Sequence, residues 1–184
     1  MNRVALRRAA RVLAGWLGVL LLLTTLPSAL RLTVGGIRFS DYPPPEAVYL
    51  GAGDVVRQQG DADCGIAALL TLLRRNGIRA TYRALAGRLP AEERLARGIT
   101  LRALVTLGGA FGLPVDGYRL AGLSEAPATL PWIAHIQGGA LGHYVVVDRI
   151  TTRAVILSDP AVGRLELPRK TFERIWSGYA LVGR

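Results

Sequence analysis

The chain has 184 residues, a formal net charge of +10 and a single cysteine, which suits one domain with a proper hydrophobic core and excludes an intramolecular disulfide. Neither a Cys-x-x-Cys pair nor a histidine-rich tract offers the spacing of a metal site, so no metal or other cofactor is implied. The arginines are scattered, without a basic-aromatic stripe or a zinc-finger pattern, and we therefore expect no binding to nucleic acid.

The N-terminus carries a hydrophobic segment. Residues 12–30 are uncharged and follow four arginines, and as a helix rising about 1.5 Å per residue they approach the thickness of a bilayer. Residues 1–30 are therefore predicted to be a signal peptide or a membrane anchor; a buried core helix is the alternative. Pro27-Ser28-Ala29 is a poor cleavage site, which favours an uncleaved transmembrane helix. The arginines predict that the N-terminus stays in the cytoplasm and that everything after Arg31 lies on the extracytoplasmic, periplasmic side.

Residues 31–54 are predicted to be a linker and lead-in, because Pro43-Pro44-Pro45 cannot donate backbone hydrogen bonds and favours extended geometry. The folded domain is then predicted over residues 55–184. Gly35-Gly36 in the linker raises the possibility of self-processing. With 22 glycines in the chain, however, chance explains such a pair.

The best-defined helix begins at Cys64. Asp63 precedes it as the predicted N-cap, and Gly77 follows it as the predicted C-cap. The apolar residues recur at helical spacing, namely Ile66, Leu69, Leu70 and Leu73. Weaker helical patterns cover residues 82–88 and 101–111, the second with Thr100 as a candidate cap.

After Gly112 the pattern changes to short runs rich in β-branched and aromatic residues. These predict strands at residues 115–120, 132–137, 144–149, 153–159 and 179–182. One further helix is predicted at residues 170–176. Helices followed by antiparallel strands indicate an α+β domain.

Cys64 is the candidate nucleophile. A thiol at a helix N-terminus lies beside unpaired backbone N–H groups and the positive end of the helix dipole, and both stabilise a thiolate. The alternative is that Cys64 is a small buried hydrophobic residue, as free cysteines often are.

His143 and Asp159 are candidate partners for that thiol. His143 begins one predicted strand, and Asp159 ends the next, just before Pro160. If residues 150–152 form a three-residue turn, the two side chains lie directly opposite, with Cβ atoms about 4.5–5.5 Å apart, so that the carboxylate can orient the imidazole. A turn one residue shorter would put them on opposite faces of the sheet.

Four other polar residues are candidates for roles in a site. His135 is a competing base, but no acid follows it at comparable strand spacing, which favours a structural role. Asp63 is better explained as a cap than as an acid catalyst. Gln58 precedes the helix and could donate to a developing oxyanion together with the backbone N–H of Cys64, whereas Gln59 is expected to be a solvated neighbour.

Taken together, these residues resemble the double-glycine leader peptidases, papain-like cysteine peptidases best known as N-terminal domains of bacteriocin-exporting ABC transporters. The resemblance spans about residues 55–181. The matching segments, in chain order, are Gln58, Asp63-Cys64-Gly65, the leucine-rich helix, Leu130-Pro131-Trp132-Ile133-Ala134-His135, Gly142-His143-Tyr144-Val145-Val146-Val147, Asp159-Pro160 with Gly163, and Phe172 followed by Trp176-Ser177-Gly178.

The resemblance implies a papain-like fold, with N-terminal helices packed on a C-terminal antiparallel sheet, preceded here by the N-terminal hydrophobic helix. It implies peptide hydrolysis through an acyl-thioester intermediate, with Cys64 as nucleophile, His143 as base and acid, Asp159 as the orienting group and Gln58 in the oxyanion hole. Members of this family cut after Gly-Gly in leader peptides, so a peptide or protein substrate is expected.

Two departures from the family pattern affect the expected partners. The sequence has neither a Gly-x-x-x-x-Gly-Lys-Ser/Thr phosphate loop nor a six-helix membrane region, so we expect a separate ABC transporter or secretion complex. The predicted outward orientation is opposite to that of exporter peptidase domains, which makes an exported or secretion-linked protein the expected substrate. Because some relatives have lost the cysteine, a non-catalytic peptide-binding module of a secretion or envelope complex is the alternative. A cell-wall amidohydrolase of the cysteine-histidine kind is a third possibility.

Overall fold

The computed structural model describes residues 42–89, 93, 98–137 and 142–184. The chain divides into two units, residues 1–35 and 36–184, and the description concerns the second. The predicted membrane segment and Gly35-Gly36 lie outside the described residues. Within those residues, no helix combines the length and the apolar character needed to cross a membrane.

The described residues form one seven-stranded sheet with helices on both faces. In chain order the elements are β1 Val48–Tyr49, α1 Cys64–Arg75, α2 Tyr82–Gly87, α3 Leu101–Ala110, β2 Val115–Arg119, a 3-10 helix Leu123–Glu125, β3 Trp132–Ile136, β4 His143–Ile150, β5 Ala154–Asp159, β6 Gly163–Pro168, α4 Arg169–Ile175 and β7 Trp176–Gly183. This architecture confirms the predicted α+β class.

The sheet is antiparallel throughout, in the order β1-β6-β5-β4-β3-β7-β2. Its central strands β3 and β4 are apolar on both faces because each face is covered. Tyr144 and Val146 pack into a core formed with α1, α2 and α3, whereas Val145 and Val147 pack into a second core that includes Phe172 of α4.

Helix α1 is buried along most of its length and begins at Cys64, as its apolar spacing predicts. Gly77 follows the helix in the left-handed region at φ +72°, and its N–H donates to the Arg74 carbonyl at 3.0 Å. The prediction for Asp63 needs correction. Asp63 occupies the N-cap position, but its side chain makes no capping hydrogen bond. Its backbone, at φ −98° and ψ 2°, lies outside the extended region from which a cap side chain usually reaches back.

Part of the predicted linker belongs to the sheet. Strand β1 pairs with β6, with Val48 opposite Glu166 and Tyr49 opposite Leu165. The pattern of residues in the sequence did not predict either β1 or β6. The prolines before β1 are compatible with this position, because an edge strand tolerates proline.

Candidate active site

Cys64 lies at the first position of α1 and is 8% exposed. The turn that carries it is closely packed, because a Cβ on Gly65 would lie 2.1 Å from Cγ2 of Ile99 and 3.1 Å from Cδ2 of Tyr144. The thiol is thereby held at the helix N-terminus, beside backbone N–H groups that the helix itself leaves unpaired.

His143 is the first residue of β4 and is 2% exposed. Gly142 immediately before it adopts φ +70°, and a Cβ there would lie 2.1 Å from Nε2 of His135. Both the left-handed backbone and this close approach require glycine. The entry of the chain into β4, and with it the position of the imidazole, is therefore set by Gly142.

The imidazole of His143 lies between an acid and the thiol. Its Nε2 is 3.0 Å from Oδ1 of Asp159, and the neighbouring Cys64 thiol also raises the pKa of the imidazole. Oδ1 of Asp159 also accepts from the backbone N–H groups of Ala161 and Val162, at 2.7 and 3.1 Å. The structure thus brings three sequence-predicted residues into contact.

The strand register that brings His143 to Asp159 differs from the predicted one. The hairpin turn is tighter than three residues, because the N–H of Thr151 donates to the Ala154 carbonyl at 2.8 Å. Farther from the turn, Val146 pairs with Ser158. Continuing that register puts Val145, two residues from His143, opposite Asp159. The prediction that the two side chains are directly opposite is therefore wrong; they are diagonal neighbours on one face, which is still within reach for long side chains.

A β-bulge at Asp148 preserves that shared face. Next to the turn, Arg149 pairs with Ile156, and the register shifts by one residue between Val147 and Arg149. Without the extra residue, Asp159 would lie opposite Val146 and would point to the other face from His143. Bulges commonly re-aim side chains beside active sites in this way.

Buried polar contacts hold the bulge in place. Asp148 accepts a hydrogen bond from Arg75 in the last turn of α1 and another from the hydroxyl of Ser158, at 2.8 Å. Arg75 also donates to Ser158 at 2.6 Å and to Asp54 at 3.0 Å. The end of the helix that begins at Cys64 is therefore tied to the bulge.

The charges of the pair follow from these contacts. Burial by itself lowers the pKa of His143, but the hydrogen bonds to Asp159 and Cys64 outweigh it and raise the pKa to about 9. Burial raises the pKa of Asp159, yet hydrogen bonds from His143 and Tyr42 bring it below its ordinary value. At neutral pH the site therefore holds a carboxylate at Asp159 and an imidazolium at His143.

Gln58 lies next to this group, but its amide is engaged. Its backbone N–H donates to the carbonyl of Pro160 at 3.1 Å, which anchors it beside Asp159. Its side-chain Nε2 donates to the Gly60 carbonyl at 3.0 Å, and Oε1 is buried without a hydrogen-bond partner in the described part of the chain. Stabilising an oxyanion would require Nε2 to leave Gly60. Gln59 is exposed.

The competing base His135 makes different contacts. Its Nδ1 is 2.9 Å from the hydroxyl of Ser177, which in turn donates to the His135 carbonyl at 2.8 Å. Its ring lies edge-on to Tyr144, with centroids 5.1 Å apart. These contacts give His135 a packing role between β3, β4 and β7.

Sequence reasoning missed one residue of the site. Tyr42, in the predicted linker, donates a hydrogen bond from its hydroxyl to Oδ2 of Asp159, and its ring centroid is 5.6 Å from that of His143. No local pattern points to this residue, because its partner is more than a hundred positions away in the chain.

Comparisons with known proteins agree with this geometry. The family model described as the peptidase C39 family matches residues 53–183. An uncharacterised protein of Methanothermobacter marburgensis is 33% identical over 134 residues, which are 73% of this chain and 90% of that protein. FapD of Pseudomonas aeruginosa, described as a probable functional amyloid protease, is 25% identical over 71% of this chain and 61% of its own length. LagD of Lactococcus lactis, a lactococcin-G-processing and transport ATP-binding protein, is 30% identical over 69% of this chain but only 18% of its own length.

Solved structures show the same fold. A double glycine motif protease from an AMS/PCAT transporter, in complex with the leader peptide, superimposes with a TM-score of 0.60 at 23% identity, over 70% of this chain and 89% of that one. The peptidase domain of Streptococcus ComA gives a TM-score of 0.59 at 24% identity, over 70% of this chain and 95% of that domain. The predicted papain-like peptidase fold and the suspected family are thus confirmed, and this chain belongs to the peptidase C39 family.

Proposed function

We propose that this chain is a cysteine peptidase that hydrolyses a peptide bond through an acyl-thioester intermediate. The observation that carries the proposal is the position of the His143 imidazole, which is hydrogen-bonded to the Asp159 carboxylate at 3.0 Å and has the Cys64 thiol as a neighbour that raises its pKa. Nucleophile, base and orienting acid in that order are the minimum needed for nucleophilic catalysis by a thiol.

In this mechanism Cys64 attacks the carbonyl carbon of the scissile bond as a thiolate. The imidazolium of His143 then gives its proton to the leaving amine, which releases the C-terminal product and leaves the acyl-thioester. Neutral His143 next takes a proton from water, which attacks the thioester and frees the acid and the thiol. Asp159 keeps the ring oriented. The backbone N–H of Cys64 and the Gln58 amide, once its Nε2 has left the Gly60 carbonyl, supply the oxyanion donors.

The substrate class follows from relatives and from the predicted N-terminal segment. A solved relative is a double glycine motif protease bound to a leader peptide, and two relatives carry processing and transport in their names. We infer that the substrate is a peptide or protein and is cut after small residues such as Gly-Gly. We also infer that a separate transporter or secretion complex carries the substrate before or after cleavage. Because the predicted membrane segment would place the catalytic domain on the extracytoplasmic side, we infer that the substrate is exported and is cleaved there.

The test is hydrolysis of a peptide containing Gly-Gly by the full chain and by matched variants. Cys64→Ala should abolish turnover while leaving the fold intact. His143→Gln should also lose turnover. His135→Gln, the same change at the other of the chain's 2 histidines, should retain turnover. Hydrolysis that survives in Cys64→Ala would refute the cysteine mechanism.

A non-catalytic peptide-binding module is the second candidate. It is favoured by the hydrogen bond from the Gln58 amide to the Gly60 carbonyl, which occupies the donor proposed for the oxyanion. Alkylation separates the two candidates. Rapid, pH-dependent labelling of Cys64 supports catalysis, and an inert thiol together with peptide binding supports the module.

A further inference from the structure

Tyr42 lies ahead of residue 53, where the family match begins, yet it contacts two members of the proposed catalytic group. Its hydroxyl donates to Oδ2 of Asp159, and its ring packs against the ring of His143. Asp159 has 0% relative exposure, so bulk water cannot donate to its carboxylate in place of Tyr42.

The two oxygens of Asp159 have different partners. Oδ1 accepts from His143 and from the backbone N–H groups of Ala161 and Val162, whereas Oδ2 accepts from Tyr42. Turning the carboxylate about its Cβ–Cγ bond would break the hydrogen bonds at both oxygens at once. Because the tyrosine holds the second oxygen, the plane of the carboxylate is fixed relative to the imidazole, and hydrogen bonds to an ionised acceptor are among the stronger ones in proteins.

The segment that carries Tyr42 is held against the strand next to Asp159. In β6, the backbone N–H of Arg164 donates to the Gly51 carbonyl, and its carbonyl accepts from Leu50, each at 2.8 Å. Gly163, which pairs with Asp159 across β5 and β6, is so close to the lead-in that a Cβ would lie 3.0 Å from the Gly51 carbonyl oxygen. The lead-in and the acid are therefore parts of one packed edge of the sheet.

We propose that Tyr42 is a positioning residue of the peptidase, which holds Asp159 aligned on His143, so that the segment ahead of the family domain completes the active site. The expected effect on kcat rests on the proposed peptidase function, whereas the alignment of Asp159 by Tyr42 does not. The hydroxyl is suited to this role because burial and the neighbouring Asp159 raise the pKa of Tyr42 well above its ordinary value, and it remains a donor.

Tyr42→Phe tests the hydroxyl while keeping the ring. With only 2 histidines in the chain, histidine-labelled NMR can follow His143 directly, and protonation of Asp159 should appear as a low-pH inflection of its resonance. Loss of the donor should move that inflection up by about one pH unit, because hydrogen bonds to a carboxylate lower its pKa. Tyr49→Phe, in the same lead-in but 58% exposed, should leave it in place. An inflection that does not move in Tyr42→Phe overturns the proposal.

Kinetics provide a second readout. In Tyr42→Phe we expect kcat to fall about tenfold, the factor that corresponds to one hydrogen bond to a charged group, with KM unchanged. In an Asp159→Asn background the same change should have no further effect, because Tyr42 acts through that carboxylate. Fully additive losses would overturn the proposal. Absence of hydrolysis in the unaltered protein would refute the peptidase function alone, since the inflection test would still decide the role of Tyr42.

The unaltered protein offers a measurement that does not depend on a variant folding. The hydroxyl proton of Tyr42 should give a downfield resonance that titrates with the same midpoint as the low-pH inflection of His143. Rapid exchange of that proton at all pH values, or a different midpoint, would overturn the proposal.

Discussion

The hydrogen bonds of His143 make the stability of the fold depend on pH. In an unfolded chain an imidazole has a pKa near 6.5, whereas Asp159 and Cys64 raise the pKa of His143 to about 9 in the folded protein. The folded state therefore binds this proton more tightly. Its stabilisation is fully present below about pH 6.5 and is lost as the pH rises through about 9.

The size of the effect follows from that difference. One pKa unit corresponds to about 1.4 kcal/mol, so the step from 6.5 to about 9 corresponds to about 3 kcal/mol of unfolding free energy. His143 is 2% exposed, and solvent screening removes little of it. Asp159 stays ionised over the whole range because its pKa is lowered.

Urea unfolding of the unaltered protein and of His143→Gln, between about pH 6 and pH 10, measures this quantity. Groups that titrate in both proteins and do not contact residue 143 cancel in the difference between the two unfolding free energies. As the pH rises over this range, we expect the unfolding free energy of the unaltered protein to fall by about 3 kcal/mol relative to that of His143→Gln. A difference that stays constant, or that moves in favour of the unaltered protein, would refute the reasoning.

Two changes in the packing around the site should reduce stability to different extents. Gly65→Ala would put a Cβ 2.1 Å from Cγ2 of Ile99 and should cost about 1–3 kcal/mol through overpacking, measured by urea unfolding; an unchanged midpoint would contradict the close packing. Asp148→Ala removes the buried partner of Arg75, which is itself 17% exposed, and should cost about 2 kcal/mol, less than for a fully buried pair. Arg184→Ala, which breaks an exposed pair, should cost much less. Equal losses in the two variants would argue against the buried network.

The sequence by itself determined the elements that carry the site. Apolar spacing located α1 and its start at Cys64, and the predicted cap of α3, Thr100, accepts a hydrogen bond from the backbone N–H of Ala103 at 3.2 Å. Such signals are predictable because they act between residues three or four positions apart. The same local reasoning singled out His143 and Asp159 as strand-end residues.

Only the tertiary structure decided how those residues meet. The register of β4 and β5 depends on a tight turn and on the bulge at Asp148, and the bulge is stabilised by Arg75 from a distant helix. Tyr42 reaches Asp159 only because β1 pairs with β6. A strand register and a long-range hydrogen bond depend on the packing of several elements at once, and neither leaves a periodic pattern within a few residues of the chain.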